Sequence, residues 1–324
     1  MQIDAVITYV NGNDPVLNEK RKRYGTASDF KRTDIAGVTR YADNGEIFWC
    51  VASLNRFAPW LHKIYIVTDG QNPHLDDFVQ KNFPNDHIPM QIVDHKEIFA
   101  GYEQYLPVFN SVAIETMTWR IPGLSEHFIE MNDDCMLATP IQPADLFPSE
   151  NEVVCHAWLY PPFFFKIATF FKRLKHGKSI FTNKQMFLHG AARADRKPIL
   201  LLRIQHTPKA LLKSFFQDYF EKHPQAMIDN IRHKFRNPAQ FSTAELQYVS
   251  LRQQGRCRRL PVPPYMFYFM QKNKPHYFEK KMARLNAHPY RYCCFNGLNE
   301  SPEADRQVIR QWIQNRLGIE DLPA

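Results

Sequence analysis

The sequence predicts an α/β protein with a mostly parallel sheet, followed by a more helical and more basic second half. Two observations predict the first part: short β-branched runs alternate with amphipathic segments, and several of those runs end in small polar or acidic residues. A third, the crowding of Lys and Arg beyond residue 150, sets the second half apart.

The first run, residues 3–10 (IDAVITYV), is nearly continuous and β-branched, the pattern of a strand buried on both faces. Asn11-Gly12 breaks it. Asp14-Pro15 then has the form of a helix start, a capping acid followed by proline at the first helical position. Residues 44–57 place Ile47, Phe48, Val51 and Leu54 on one helical stripe, and Pro59 stops the helix. There follow a strand at 63–68 (KIYIVT), a helix after Pro73, a strand at 90–93, a helix at 110–119 and a strand at 128–131. Strands separated by helices form βα units, hence a parallel sheet with helices on both faces.

Past residue 150 the alternation fades. Helices are expected at 211–220 and 244–253, while residues 261–268 (PVPPYMFY) hold too much proline for a regular element. Ser301-Pro302-Glu303 opens a last helix with Val308, Ile309, Trp312 and Ile313 as its buried stripe and Gly318 as its stop. The aromatic run 158–171 reads as core, ahead of a flap or a membrane-surface patch.

Length and composition narrow the class. A chain of 324 residues with 44% hydrophobic and 23% charged residues has the makeup of an ordinary globular protein, which excludes disorder, collagen and coiled coil. Six cysteines with no CxxC pair read as reduced thiols of a cytosolic protein rather than a disulfide scaffold. No apolar run approaches the roughly 18–20 residues of a membrane span, and an acid stands near the N-terminus where a secretory signal carries basic residues. The net charge of +8 is unevenly placed. Residues 166–213 hold twelve Lys and Arg against the single acid Asp195, and residues 252–284 hold nine against Glu279. Such an excess suits an anionic partner, although a solvated basic face is the plainer alternative. Nucleic acid is not expected, because no zinc finger, RNP motif or helix-turn-helix spacing is present. Neither GxGxxG nor GxxxxGK[ST] occurs, so dehydrogenase and P-loop chemistry are unsupported.

Chemistry concentrates at the strand ends, where ligands of open α/β sheets bind. Asn132-Asp133-Asp134 closes an apolar run, and two acids there can hold Mg²⁺ or Mn²⁺, which take hard oxygens from one or two carboxylates plus substrate phosphates. The same residues are also ordinary turn formers. Asn11-Gly12 admits the same two readings, a turn or a close backbone approach to a base or ribose, with Asp14, Arg40 and Asn44 nearby in the motif.

The local wording decides more. DAVITYVNGNDP (4–15), RYADNGEIFWCVASLNRFAPWLHKIYIVTDGQ (40–71) and PVFNSVAIETMTWRIPGLSEHFIEMNDD (107–134), with the looser IQHTPK and HKFRNPAQF inside 205–255, resemble the Stealth family of hexose-1-phosphate transferases. That group includes bacterial capsule polymerases and the N-acetylglucosamine-1-phosphotransferase of lysosomal targeting. The resemblance implies a nucleotide-sugar-transferase-like core over residues 1–150, and a basic helical region at 151–324 that completes the active site and the acceptor side. It implies a UDP-sugar donor, commonly UDP-N-acetylglucosamine, with Mg²⁺ or Mn²⁺. Sugar and phosphate pass together to an acceptor hydroxyl, releasing UMP and leaving a phosphodiester in a capsule or exopolysaccharide. Carried over by position, the essential acids fall on Glu115 and Asp134, both metal ligands, and the essential His and Arg on His206 and Arg236. Asn11, Gly12, Asp14, Arg40, Asn44, Asn110, Asn132 and Asp133 fall in the nucleotide-sugar pocket.

Two positions depart from the pattern, Val112 where bacterial relatives often have His, and Tyr9 in place of a common Trp. His206 has the chemistry of a base toward the acceptor or of a charged donor to phosphates, and Arg236 offers a planar fork for phosphate oxygens. The expected setting is a bacterial cytoplasm, peripheral at the anionic inner membrane. The rivals are a conventional metal-dependent glycosyltransferase that releases UDP, and a non-enzymatic anion-binding protein.

Overall fold

A computed structural model describes residues 1–26, 30, 41–161, 163, 167, 183–194, 201–270, 275–320 and 322. The chain runs β1 (Ile3–Thr8), α1 (Pro15–Tyr24), α2 (Glu46–Phe57), β2 (Lys63–Thr68), α3 (Asp76–Asn82), β3 (Met90–Asp94), α4 (His95–Ile98), α5 (Ser111–Glu115), β4 (His127–Asn132) and β5 (Cys135–Leu137). It continues as β6 (Val153–Tyr160), α6 (Asn183–Ala194), β7 (Leu201–Ile204), β8 (Lys209–Leu212), α7 (Lys213–Lys222), α8 (Pro224–Ile231) and α9 (Thr243–Gln253). The last elements are β9 (Cys257–Leu260), β10 (Tyr265–Phe269), α10 (Tyr277–Ala287), β11 (Tyr292–Asn296) and α11 (Glu303–Leu317).

The fold is mixed α/β around a five-stranded sheet in the order β3-β2-β1-β4-β8. Its first four strands are parallel, and β8 pairs antiparallel with β4 at the edge. β1 is buried except at its last residue, which is why its sequence is continuously apolar rather than alternating. The order also fixes the ligand crevice. From β1 the chain builds outward through β2 to β3, then returns to place β4 on the other side of β1, so the topology switches between β1 and β4. Their carboxyl ends carry Asn11-Gly12 and Asn132-Asp133-Asp134, where an open sheet leaves room for a ligand.

The two stretches foreseen at 1–150 and 151–324 share one hydrophobic cluster running from Ile3 to Ile319. β8 completes the first stretch's sheet, β11 pairs with β5, and α11 lies against α2 with Ile309, Ile313 and Leu317 buried. Arg56 of α2 holds the end of α11, its Nε donating to the Leu317 carbonyl at 2.8 Å. All six cysteines are free and buried. Among the described residues no helix is long and apolar enough to cross a membrane.

Several expectations are corrected. The helix foreseen at 110–119 stops at Glu115 and resumes as a 3₁₀ turn at Thr118–Arg120, because the Thr116 and Thr118 hydroxyls bond back to the Val112 and Glu115 carbonyls. Leu211 and Leu212 belong to β8, paired with Phe128 and His127, so the helix there begins at Lys213. The proline-rich stretch does contain a strand, β10, which starts directly after Pro264 and pairs in parallel with β11. Val308 is exposed, and Leu317 takes its place in the buried stripe of α11. Most of the 158–171 run lies outside the described residues, but Trp158, Leu159, Phe163 and Ile167 are exposed rather than core.

Candidate active site at the β1/β4 switch point

The turn after β4 brings its acids together. The Asp134 amide donates to the Asp133 carboxylate at 3.0 Å, and the Asp134 carboxylate accepts from Asn296 Nδ2 at 2.6 Å and from the Cys135 thiol at 3.3 Å. Asn296 ends β11, and the Phe295 amide reaches the Asp134 carbonyl, so the last strand holds the motif in place. Burial, together with the charges of Asp134, Glu46 and Asp43, pushes the Asp133 carboxyl well above the usual carboxylate range. Glu46 is raised to about 7, chiefly by burial.

His206 comes from the turn between β7 and β8. A ring nitrogen of His206, a carboxylate oxygen of Asp134 and the thiols of Cys135 and Cys294 all lie within 4.8 Å of one another. Burial lowers the His206 pKa, and Lys209 and Arg236 push the same way, against Asp134 and Glu115. The imidazole is therefore neutral at neutral pH.

Glu115 is the last residue of α5, and it faces Lys209 Nζ at 3.5 Å. The same ammonium bonds Glu130 of β4 at 2.8 Å. Burial alone would depress Lys209, but the Glu115 and Glu130 carboxylates outweigh it and raise its pKa. One ammonium is thus shared by two carboxylates, with Glu130 the closer partner.

Arg236 is held by a polar staple. Asn110 caps α5 by accepting from the Ala113 amide at 3.0 Å, and its Nδ2 donates to the His233 carbonyl at 2.7 Å. The Phe109 amide also bonds the Lys234 carbonyl, and buried Gln240 and Asn230 tie the other side of the loop to Asn110 and Thr116. The Arg236 guanidinium then donates to Ser111 Oγ at 2.9 Å.

Glu115, Asn132, His206, Lys209, Arg236 and Glu245 line one cavity of about 960 Å³. Asp134 is covered by Cys135 and adjoins His206. The other expected residues that are described, Asn11, Gly12, Asp14, Asn44, Asn110 and Asp133, are not part of this lining. Asn11 and Asp14 are clamped by Gln71, whose Nε2 donates at 2.9 Å to the Asn11 carbonyl and to the Asp14 carboxylate, while Asp14 caps α1. Gly12 packs on backbone: a Cβ there would fall 2.0 Å from the Tyr41 carbonyl oxygen. Asn44 donates to the Glu46 carboxylate through its amide and its side chain. Arg40 lies outside the described residues.

Lys209, Glu130, Gln71 and Asn296 were not singled out from the sequence. Lys209 had a signal, since it ends the quoted IQHTPK motif. Glu245 had none; its two carboxyl oxygens are buried with no hydrogen-bond partner among the described residues, and burial raises its pKa to about 8.

A parallel-sheet crevice with acids at the switch point and His206, Lys209 and Arg236 in the adjoining cavity is the candidate ligand site of this fold. The pattern described as Stealth protein CR2, conserved region 2, matches residues 40–155. The capsular polysaccharide phosphotransferase WcwK of Streptococcus pneumoniae is 31% identical over 265 residues, covering 76% of this chain and 77% of WcwK. The receptor polysaccharide phosphotransferase WefC of Streptococcus oralis is 38% identical over 150 residues, 46% of this chain and 42% of WefC. The exopolysaccharide phosphotransferase SCO6023 of Streptomyces coelicolor is 30% identical over 254 residues, 76% of this chain and 39% of SCO6023. This chain belongs to the Stealth family. Among solved structures, the galactosyltransferase LgtC with donor and acceptor sugar analogs aligns over 99% of this chain and 97% of its own, at TM-score 0.43 and 12% identity. Mouse xyloside xylosyltransferase 1 aligns over 91% and 97%, at 0.41 and 11%.

Proposed function

We propose that the chain is a hexose-1-phosphate transferase. It moves sugar-1-phosphate from a UDP-sugar, N-acetylglucosamine being the trial sugar, to a hydroxyl of an acceptor glycan and releases UMP. One observation carries the reading: Glu115, His206, Lys209 and Arg236 share a single cavity beside Asp134.

Phosphoryl transfer asks the protein to position reactants and neutralise oxygen charge. Arg236, bonded to Ser111 and lining the cavity, carries the planar guanidinium that suits diphosphate oxygens. His206, kept neutral by burial, takes the proton of the acceptor hydroxyl as its oxygen attacks the sugar-side phosphorus. A new phosphorus–oxygen bond forms, the bond to UMP breaks, and Asp134 beside the ring stabilises the imidazolium so formed. The sugar's own anomeric bond is untouched.

The donor set also bears on Mg²⁺ or Mn²⁺. Asn132, Asp133 and Asp134 offer oxygens at the carboxyl end of β4, the hard donor type such a cation takes, with Asp134 the carboxylate beside His206. The Cys294 thiol, held far above its usual pKa by burial, is a poor ligand, and Glu115 is engaged by Lys209. The cation would supply charge neutralisation on the phosphates. A thermal-shift screen of UDP-N-acetylglucosamine, UDP and UMP with Mg²⁺ or with chelator tests donor binding. Stabilisation by UDP-sugar that weakens in chelator supports the reading, and no shift with any uridine nucleotide contradicts it.

A further inference from the structure

The cavity also takes in residues of a different chemistry on β6, β7 and the chain leading into β10. Trp158 and Arg203 stand directly opposite each other in the antiparallel β6–β7 pair, and both line the cavity. Pro263, Pro264, Tyr265 and Phe267 continue the surface. Trp158 is 58% exposed, so the face of its indole is open to a ligand in the cavity. Among the described residues none pairs with the Arg203 guanidinium.

This surface reaches the chemistry. The Phe267 ring lies 5.6 Å from the His206 ring, centroid to centroid, so a ligand stretched from Trp158 along the aromatic floor arrives at the base. The volume of about 960 Å³ stands at the upper end of the roughly 300–1,000 Å³ usual for one small ligand, so the cavity extends from His206 to the Trp158 surface. On the transferase reading the nucleotide lies at the β1/β4 switch point, whereas β6 and β7 belong to a separate three-stranded sheet.

We propose that Trp158 and Arg203 form a subsite for an acceptor glycan that already carries a phosphodiester. A pyranose lays its apolar C–H face on the indole, and the guanidinium takes the oxygens of the adjoining phosphodiester. The chemistry suits each partner: a flat aromatic ring matches the underside of a sugar, and Arg binds phosphate through two parallel donors. Such a subsite favours extension of an existing phosphodiester-linked chain over its initiation. The inference rests on the transferase reading above, and its test is separable from it.

The test is titration calorimetry with two probes, a pair of N-acetylglucosamine units joined by a phosphodiester and the glycosidic disaccharide diacetylchitobiose. The wild type should bind the phosphodiester probe about tenfold more tightly, the worth of one charge-assisted contact. Arg203→Gln should erase that preference, and Arg203→Lys should restore part of it. Trp158→Ala should weaken both probes, and Trp158→Phe should recover most of the loss. Equal affinity of the wild type for both probes, no binding of the phosphodiester probe, or unchanged binding in Arg203→Gln and Trp158→Ala would overturn the subsite. Loss of UDP affinity in Trp158→Ala would also overturn it, by assigning the indole to the base. A wild type that binds the phosphodiester probe but no UDP-sugar would keep the subsite and remove the transferase reading.

Discussion

The Asp134 carboxylate and the His206 imidazole, one after β4 and the other before β8, approach within 4.8 Å because β4 and β8 are paired neighbours in the central sheet. The acid partly offsets the burial that keeps the ring neutral. His206 therefore titrates below its ordinary value of 6.5 and is ready as a base at neutral pH. The acidic limb of kcat/KM should fall below pH 6.5, and NMR titration of the His206 ring should match it. His206→Ala should lose turnover far more than donor affinity. An acidic limb above 6.5 would remove His206 as the base.

Removal of the cation separates the acids. Asp134→Ala should reduce turnover by orders of magnitude with the fold intact, and chelator should slow the wild type but not slow this variant further. Asp133→Asn should be milder, since its carboxyl is already biased toward the neutral form. Turnover assayed with and without chelator checks both, and near-normal turnover of chelated Asp134→Ala would sink the metal assignment.

Lys209 serves two carboxylates, so its loss should be a stability defect as well as a catalytic one. Lys209→Met strands Glu115 and Glu130 and should cost about 3–5 kcal/mol, as breaking a buried ion pair does. Glu115→Ala keeps the shorter Glu130 pair and should cost far less stability, while turnover should fall more than stability because Glu115 lines the cavity and holds Lys209 there. Urea unfolding alongside activity resolves the two.

Two buried histidines outside the site set an acid limit to stability. Burial lowers His95 to about 4 against the pull of Asp69 and Asp94, with Lys20 also lowering it. His156 is lowered to about 4 by burial and by Arg291, with Asp145 opposing. Both groups are neutral in the fold and gain protons more readily when unfolded, so their stabilisation is present above pH 6.5 and is lost as the pH falls toward 4. The loss should reach about 3 kcal/mol for each at most. Urea titrations across this window should flatten in His95→Gln.

How far the sequence foretold this depends on whether a signal was local. β1, β2 and α2 are legible because continuous β-branched runs and a helical stripe are properties of neighbouring residues. β10 is not, since its pairing with β11 depends on residues far along the chain and three prolines stand just before it. The site divides the same way. Glu115, Asp134, His206 and Arg236 were marked by motif wording, and the cavity unites all but Asp134, which adjoins it. Glu130 and Asn296 gain their roles only from tertiary pairing. Asn110 shows the converse: a motif residue whose amide is engaged within the protein and positions Arg236.

Attack at phosphorus rather than at carbon is read directly from the nucleotide released. With UDP-N-acetylglucosamine labelled in the sugar-side phosphate and an acceptor glycan, chromatography of the nucleotides and ³¹P NMR of the product measure both ends of the reaction. One UMP should appear per sugar transferred, with the label in a phosphodiester of the product and the α configuration retained. Stoichiometric UDP with no phosphorus in the product would contradict it and make the protein a conventional glycosyltransferase.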